Sequence, residues 1–232
     1  YQTAFLKYYY PKEFMAALMT SVMDNTTQVS EYILACRNMG IPILPPDINE
    51  GYSGFSVSGN GIRYGLSAIK SVGRAVVDVI IAERESGGLF KNLDDFVSRM
   101  SNKEVNKRTL ESFIKSGALD TLPGTRKQKL IVSGDLLESK SKEKKTVMEG
   151  QMSFFDIAPE EEKDNFHITF PDVGEYDKQT LLAFEKETIG IYVSGHPMEE
   201  YRELWEKNVT ARTSDFVVDE VGKTIVEDNS NV

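Results

Sequence analysis

Cysteine, histidine and tryptophan are scarce in this 232-residue sequence, and their scarcity excludes several kinds of site. The single Cys36 rules out an internal disulfide, and its apolar helical surroundings predict a small buried side chain in a cytoplasmic protein. His167 and His196 have no companion histidine or cysteine, which argues against a zinc site. No apolar run approaches the roughly 20 residues that cross a membrane, and the N-terminus lacks a secretory signal. We expect no membrane partner.

The chain opens with Tyr1 rather than methionine, and its first residues already follow a helical pattern. We therefore expect a fragment of a longer protein. Its hydrophobic fraction of 40% is enough for one large core or two modest ones.

The net charge of −9 is unevenly distributed along the chain. Residues 91–129 carry nine basic and five acidic side chains, whereas residues 156–232 carry seven basic and nineteen acidic ones. Phosphate binding depends on the local field rather than on the charge of the whole chain. A basic middle segment with an acidic tail is therefore compatible with a protein that handles DNA.

The first 90 residues predict helices separated by one short β-hairpin. Pro11 is suited to the first turn of a helix, Thr27 can cap the next one, and Gly40 can end it. Residues 55–65 alternate apolar and polar positions around a Gly-Asn-Gly turn, which indicates the hairpin. Residues 66–85 predict two helices broken at residues 71–73.

The rest of the chain is also predicted to be mainly helical. Asn92 can cap a helix, Gly117 can end another, and a further helix is expected over residues 125–139. Residues 139–150 have almost no hydrophobic side chains and indicate an exposed linker. Helices follow in DKQTLLAFEKETIGIYVSG and MEEYRELWEKN.

The break at residues 71–73 resembles the turn of a helix-hairpin-helix element. In such a turn small residues let the backbone approach a phosphate, and amides at the start of the second helix donate to it. The candidate DNA-binding residues here are Lys70, Ser71, Val72, Gly73 and Arg74. The element usually has Gly-hydrophobic-Gly, and Ser71 occupies the first glycine position. A plain corner between two core helices explains the same pattern, and the residues alone leave both interpretations open.

A second basic window has the sequence NKEVNKRTLESFIKSGALDTL. Its candidate DNA-binding residues are Lys103, Lys107, Arg108 and Lys115, above an apolar helix face. It can form a second, degenerate hairpin, and a tandem pair would bind a duplex with one phosphate backbone on each hairpin. The alternative is a solvated basic face on a packed helix pair.

Two aromatic side chains interrupt the polar segment in GQMSFFDI. Such residues either pack onto their own domain or enter a partner's hydrophobic pocket, where each aromatic contributes ~1.5–3 kcal/mol. The pattern resembles the short motif by which bacterial proteins bind the sliding clamp. The candidate clamp-binding residues are Gln151, Met152, Ser153, Phe154 and Phe155.

No catalytic or metal-binding residues are predicted in the chain. Two-metal phosphoryl transfer needs carboxylates brought together around the ions. Asp94 and Asp95 lie in the first turn of a helix, where acidic residues stabilise the dipole. Residues 160–162 lie outside any periodic pattern. Neither cluster is framed by strands or hydrophobic residues as a metal site would be.

Seven segments in the same order resemble the alpha subunit of bacterial DNA polymerase III, of the DnaE type, from Tyr1 to about Tyr201. They are YQTAFLKYYYPKEFMAALM, CRNMGIPILPPDINEGYSGFSV, IRYGLSAIKSVG, FKNLDDFVSRM, NKRTLESFIKSGALD, GQMSFFD and LLAFEKETIGIYVSGHP. Seven collinear segments are far more specific than any single motif.

The resemblance implies a mainly α fragment of a replicative polymerase. Residues 1–60 would end the fingers, 61–138 would form a tandem helix-hairpin-helix region, 139–208 would hold the clamp motif and a helical connector, and 209–232 would begin a truncated OB domain. The catalytic aspartates and Mg²⁺ would belong to a palm upstream of Tyr1, so the fragment itself would be inactive. Duplex DNA, the sliding clamp and other replisome subunits are the implied partners.

Two other interpretations remain open at this point. The chain could be a stand-alone helix-hairpin-helix module of a repair protein. It could also be an interaction protein that does not bind DNA, whose basic window is ordinary surface.

Overall fold

A computed structural model of the chain describes residues 1–100, 105–148, 169–210, 216–218 and 224–226. They form two compact units, Tyr1–Ser194 and Gly195–Val232. Helices dominate the described residues, as the sequence predicts.

The first three helices are α1 (Gln2–Tyr9), α2 (Pro11–Ser21) and α3 (Thr26–Asn38). Pro11 is the first residue of α2, where its missing N–H group leaves no helical hydrogen bond unmade. The cap of α3 is Asn25, whose side chain accepts from the backbone N–H of Gln28, so the prediction of Thr27 was wrong by two residues. Asparagine is at least as good an N-cap as threonine.

A three-stranded sheet contains β1 (Ile43–Leu44), β2 (Ser56–Ser58) and β3 (Gly61–Arg63). Strands β2 and β3 pair antiparallel and confirm the predicted hairpin. Strand β1 pairs parallel with β3, with Ile43 opposite Ile62. The sequence did not predict β1, because two residues between prolines carry no periodic signal.

The first helix-hairpin-helix element is shorter at its start than the sequence predicts. A single 3-10 turn (Leu66–Ala68) replaces the first helix, and α4 (Arg74–Gly87) follows the loop. Ile69 and Val72 are buried and anchor the two ends of the loop.

A second hairpin is formed by α6 (Lys107–Lys115), the turn at residues 116–125 and α7 (Arg126–Met148), with α5 (Leu93–Met100) before them. Asn92 caps α5 as predicted, and Asn106 caps α6. Helix α7 reaches Met148, so the segment predicted as a linker from residue 139 is helical over its first ten residues.

Helix α8 (Lys178–Thr188) is capped by Asp177 and completes the first unit. In the second unit a 3-10 turn (Glu199–Tyr201) leads into α9 (Arg202–Asn208). Strands β4 (Phe216–Val218) and β5 (Thr224–Val226) pair antiparallel there.

The hairpin region is built on a continuous hydrophobic core. The rings of Phe90, Phe96 and Phe113 stack edge to face, with centroids 5.1 and 6.2 Å apart. Cys36 is fully buried, as predicted, and burial raises the pKa of its thiol to about 11. The core fixes α5, α6 and α7 beneath the loops that connect them.

Ser71 has a φ of +67°, which makes it the one non-glycine residue with positive φ in the part of the chain that the structure describes. It therefore adopts the conformation that glycine would supply at the first position of the hairpin loop. The left-handed conformation costs an L-residue roughly 1–2 kcal/mol, because its Cβ crowds the following carbonyl.

We predict that Ser71→Gly raises the free energy of unfolding by about 0.5–1 kcal/mol, since relief of the Cβ strain exceeds the added flexibility of the unfolded chain. Urea denaturation measures the change. Ser71→Ala keeps the Cβ atom and should bring no gain, so equal stabilisation by both variants would contradict the explanation.

The turn of the second hairpin is held from inside by Lys129. This lysine is fully buried, and its Nζ donates to the backbone carbonyls of Leu119 and Leu122, both at 2.7 Å. Burial lowers the pKa of Lys129. Its ammonium group therefore satisfies carbonyl groups of the turn that lie out of reach of water.

We predict that Lys129→Met lowers the free energy of unfolding by about 2–4 kcal/mol. Two buried carbonyls lose the bond from Lys129 while the volume is kept, although the carbonyl of Leu119 still accepts from the backbone N–H of Leu122. Chemical denaturation followed by circular dichroism measures the loss. Lys127→Met, in the same helix, is the control. Lys127 is partly exposed and lies 5.6 Å from the Tyr176 ring, so its loss should stay below about 1 kcal/mol. Equal losses would contradict the role of Lys129.

Candidate nucleic-acid interface

The loop of the first hairpin is open to solvent. Lys70, Ser71, Gly73 and Arg74 are exposed, whereas Val72 is buried and holds the loop to the core. A Cβ atom placed on Gly73 would meet no atom within 4 Å, so the space beside the loop is free. Gly73 also caps α4 without a side-chain acceptor, and the first N–H groups of that helix have no partner within it.

Helix α6 brings two more of the predicted basic residues to this loop. A polar cavity of about 180 Å³ lies between α6, the loop and the end of α8. Its lining residues are Lys70, Ser71, Arg108, Glu111, Ser112, Lys115, Glu187 and Thr188. The hydroxyl group of Thr109 donates to the backbone carbonyl of Ser71 at 3.4 Å, which ties α6 to the loop.

The remaining predicted DNA-binding residues lie elsewhere. Arg74 begins α4 beyond the cavity. Lys107 is exposed and extends along α7, with its Nζ 3.6 Å from where a Cβ atom on Gly134 would lie. Lys103 lies outside the described residues, as do the five residues of the clamp motif, Gln151 to Phe155. The structure therefore gathers Lys70, Ser71, Arg108 and Lys115 into one place.

The cations of the cavity differ in their partners. Among the described residues, the side chains of Lys70 and Arg108 have no carboxylate within 4 Å. Lys115 pairs with Glu187, with its Nζ 3.4 Å from both carboxylate oxygens and 5.3 Å from the centroid of the Phe184 ring. The lining of the cavity therefore contains three cations and two carboxylates, Glu111 and Glu187, and of the three cations only Lys115 is in an ion pair with a described residue.

Residues 185–194, which end α8 and follow it, form one wall of this site. The backbone N–H of Lys70 donates to the carbonyl of Thr188 at 2.8 Å, and the hydroxyl group of Tyr64 donates to the carbonyl of Ile189 at 2.9 Å. Burial raises the pKa of Tyr64. We call residues 185–194 the connector strap, because they run across the first hairpin and are hydrogen-bonded to it.

A second, larger cavity adjoins the first and shares Lys70, Glu187 and Thr188 with it. It has a volume of about 530 Å³. Its further lining residues are Thr26, Thr27, Ser30, Ala68, Lys186, Ile189 and Gly190. One further lysine and three further hydroxyl-bearing residues thus extend the polar surface from the first hairpin toward α3.

The second hairpin does not repeat the charge arrangement of the first. Arg126, which begins α7, is buried and bonded to the carboxylate of Asp120 at 2.6 Å, and it lies 3.6 Å from Glu185. Burial is the largest single influence and lowers the pKa of Arg126. The hydrogen bond that Arg126 donates to Asp120 and the charges of Asp120, Glu185 and Glu175 together outweigh burial and raise this pKa. The cations of this turn, Arg126 and Lys129, therefore point into the protein, and Asp120 is exposed at its surface.

Sequence reasoning missed the acidic members of the site. Glu187 lies 72 residues from Lys115 along the chain, and no local pattern connects them. Thr188 contributes a backbone carbonyl, which carries no side-chain signal. The segment LLAFEKETIGIYVSGHP pointed to the region only through its resemblance.

The described residues contain no group of three or more histidine, cysteine, aspartate or glutamate side chains that could hold a metal ion. None of their helices is long and apolar enough to cross a membrane.

A family model described as helix-hairpin-helix motif matches residues 40–129, which include both the first hairpin and the turn of the second. Among similar proteins are three named DNA polymerase III subunit alpha. The protein from Vibrio cholerae is 41% identical over 93% of this chain and 19% of its own length. The Escherichia coli K12 protein is 40% identical over 97% of this chain and 20% of its own length. The Thermus aquaticus protein is 43% identical over 89% of this chain and 16% of its own length.

These matches run along nearly the whole chain, but the chain spans only about a fifth of the length of the relatives. They confirm the resemblance that the seven collinear segments indicated. The chain thus corresponds to one segment of the DNA polymerase III alpha subunit family, the segment that carries the helix-hairpin-helix region.

Proposed function

We propose that this chain is a part of a replicative DNA polymerase and that it holds duplex DNA without reading its sequence. The observation that supports this most directly is the cavity at the exposed loop of the first hairpin. There Lys70, Arg108 and Lys115 converge beside a small-residue turn with open space around Gly73.

The chemistry of this surface suits a phosphate. Ammonium and guanidinium groups attract a phosphate, and the free N–H groups at the start of α4 can donate to it. Phosphate contacts of this kind fix position and carry no sequence information, and each one releases a counterion.

The first hairpin carries the larger share of duplex binding in this proposal. The second hairpin instead supports α6, since its own cations are engaged inside the protein. This differs from a symmetric tandem in which each hairpin holds one phosphate backbone. Arg74, Lys103 and Lys107 would then contact the duplex beyond the cavity.

Polymerisation itself is assigned to the parent protein. The relatives are named as DNA polymerase subunits, and nucleotide transfer with Mg²⁺ would use carboxylates outside these 232 residues. We expect no nucleotide incorporation by the chain alone. In the parent, a cytoplasmic enzyme, the division would be 1–60 for the end of the fingers, 61–138 for the hairpin pair, 139–208 for the clamp motif and connector, and 209–232 for the start of an OB domain.

Residues 151–155, Gln-Met-Ser-Phe-Phe, are proposed to bind the sliding clamp. Glutamine supplies directional hydrogen bonds, and the phenylalanines supply buried apolar area. A clamp that encircles DNA keeps the duplex close to the hairpin at a high effective concentration. Weak phosphate contacts are then sufficient for processive synthesis. Other replisome subunits would join the same assembly.

We predict that Lys70→Gln with Arg108→Gln weakens duplex binding equally for unrelated sequences. Loss of two phosphate contacts should reduce the slope of log affinity against log salt by about two. Fluorescence anisotropy between 50 and 200 mM salt measures affinity and slope together.

The matched control is Lys7→Gln with Lys91→Gln. It removes the same charge from exposed positions outside the cavity. An equal loss in the control would mean that net charge alone governs binding. No duplex binding by the unmodified chain at 50 mM salt would contradict the proposed function.

We predict that Gln151→Ala with Phe154→Ala and Phe155→Ala abolishes binding to purified clamp and leaves duplex affinity unchanged. The side chains removed are those expected to enter the pocket of the clamp. Surface plasmon resonance on immobilised clamp measures the loss.

A second triple variant, Gln2→Ala with Tyr8→Ala and Tyr9→Ala, removes similar exposed side chains from α1. It should bind the clamp normally. Clamp binding that survives the change at residues 151–155 would remove the assignment.

A further inference from the structure

One wall of the basic cavity carries a carboxylate from a distant part of the chain. Glu187 ends in the cavity beside Lys70, Arg108 and Lys115. It belongs to the connector strap, whereas Lys115 belongs to α6. Of the two carboxylates in the cavity lining, Glu111 and Glu187, Glu187 is the one that pairs with Lys115.

The contact between Glu187 and Lys115 is loose. Both carboxylate oxygens are 3.4 Å from Nζ, longer than the 2.7–2.9 Å of a strong charge-assisted hydrogen bond. The side chains are 55% and 25% exposed, so water competes with the pair. Pairs of this kind contribute little to stability, and another anion can replace one partner easily.

The strap does not depend on this ion pair for its position. Glu185 is buried and accepts from the backbone N–H groups of Val193 and Ser194 at 2.8 and 3.0 Å. Tyr64 and the backbone of Lys70 hold the strap as well. The side chain of Glu187 can therefore leave Lys115 while the wall of the cavity stays in place.

We propose that Glu187 is a built-in competitor for the phosphate site, which pairs with Lys115 in the free protein and gives it up to a duplex phosphate. This inference rests on the proposed function and deepens it. Binding then exchanges one anion for another at Lys115, and the released carboxylate becomes solvated. The exchange lowers affinity and weakens its dependence on salt, because one fewer counterion is released in total.

Glu187→Gln tests the exchange directly. It keeps the shape and removes the charge, so Lys115 becomes free for a phosphate. We expect duplex binding about two- to fivefold tighter at 50 mM salt and a salt slope steeper by about one. Glu13→Gln, an exposed change on α2 with the same effect on net charge, should leave both values unaltered.

The same substitution in a Lys115→Gln background separates competition from simple repulsion. If Glu187 competes for Lys115, its removal brings no gain once Lys115 is absent. A gain of equal size in both backgrounds, or no gain in the Glu187→Gln variant, overturns the inference while duplex binding by the unmodified chain still supports the proposed function. Absence of any duplex binding by the unmodified chain overturns both.

Discussion

The buried carboxylate of Glu185 connects the connector strap, to which it belongs, with the second hairpin. A charge in the protein interior is tolerated only when other groups compensate it. Glu185 accepts from two backbone N–H groups within the strap, those of Val193 and Ser194, and lies near Arg126, which begins α7. Arg126 also binds Asp120 and the backbone carbonyl of Lys115. One network thus links the end of α6, the second hairpin turn and the wall of the basic cavity.

This network explains why the two hairpins have different roles. In the second hairpin the cations complete hydrogen bonds of the protein itself and keep the turn in shape. In the first hairpin the loop is anchored by apolar side chains and backbone contacts, which leaves its cations available. Because Arg126 and Lys129 hold the second turn in shape, they support a surface on which Lys70 and Arg108 remain accessible to a ligand.

The helices and the β-hairpin could be predicted because their signals are local. Pro11 and Gly117 mark helix ends through their backbone conformation, and Asn92 does so through its side-chain acceptor. Phe55 to Tyr64 alternate over a few residues. The exact start of α3 escaped prediction because asparagine and threonine compete as caps within three positions. Ser71 shows a further limit, since tertiary anchoring by Ile69 and Val72 imposes a positive φ that serine does not favour.

Only the basic residues of the site could be predicted from the sequence. Lys70, Arg108 and Lys115 stand out within short windows of sequence, but their convergence depends on the packing of α6 against the loop. Glu187 and the carbonyl of Thr188 come from the strap, where nothing local indicates proximity to a hairpin. Long-range pairs and backbone acceptors are invisible to pattern reasoning, and they decide how much positive charge the cavity offers.

The length of α7 determines how far apart the two ends of this segment lie. Its 23 residues rise about 35 Å from Arg126 to Met148. A flexible coil of the same length would let its two ends wander over a broad range of separations. A helix instead keeps its two ends at a fixed separation. Met148 therefore lies far from the turn of the second hairpin, where α7 begins.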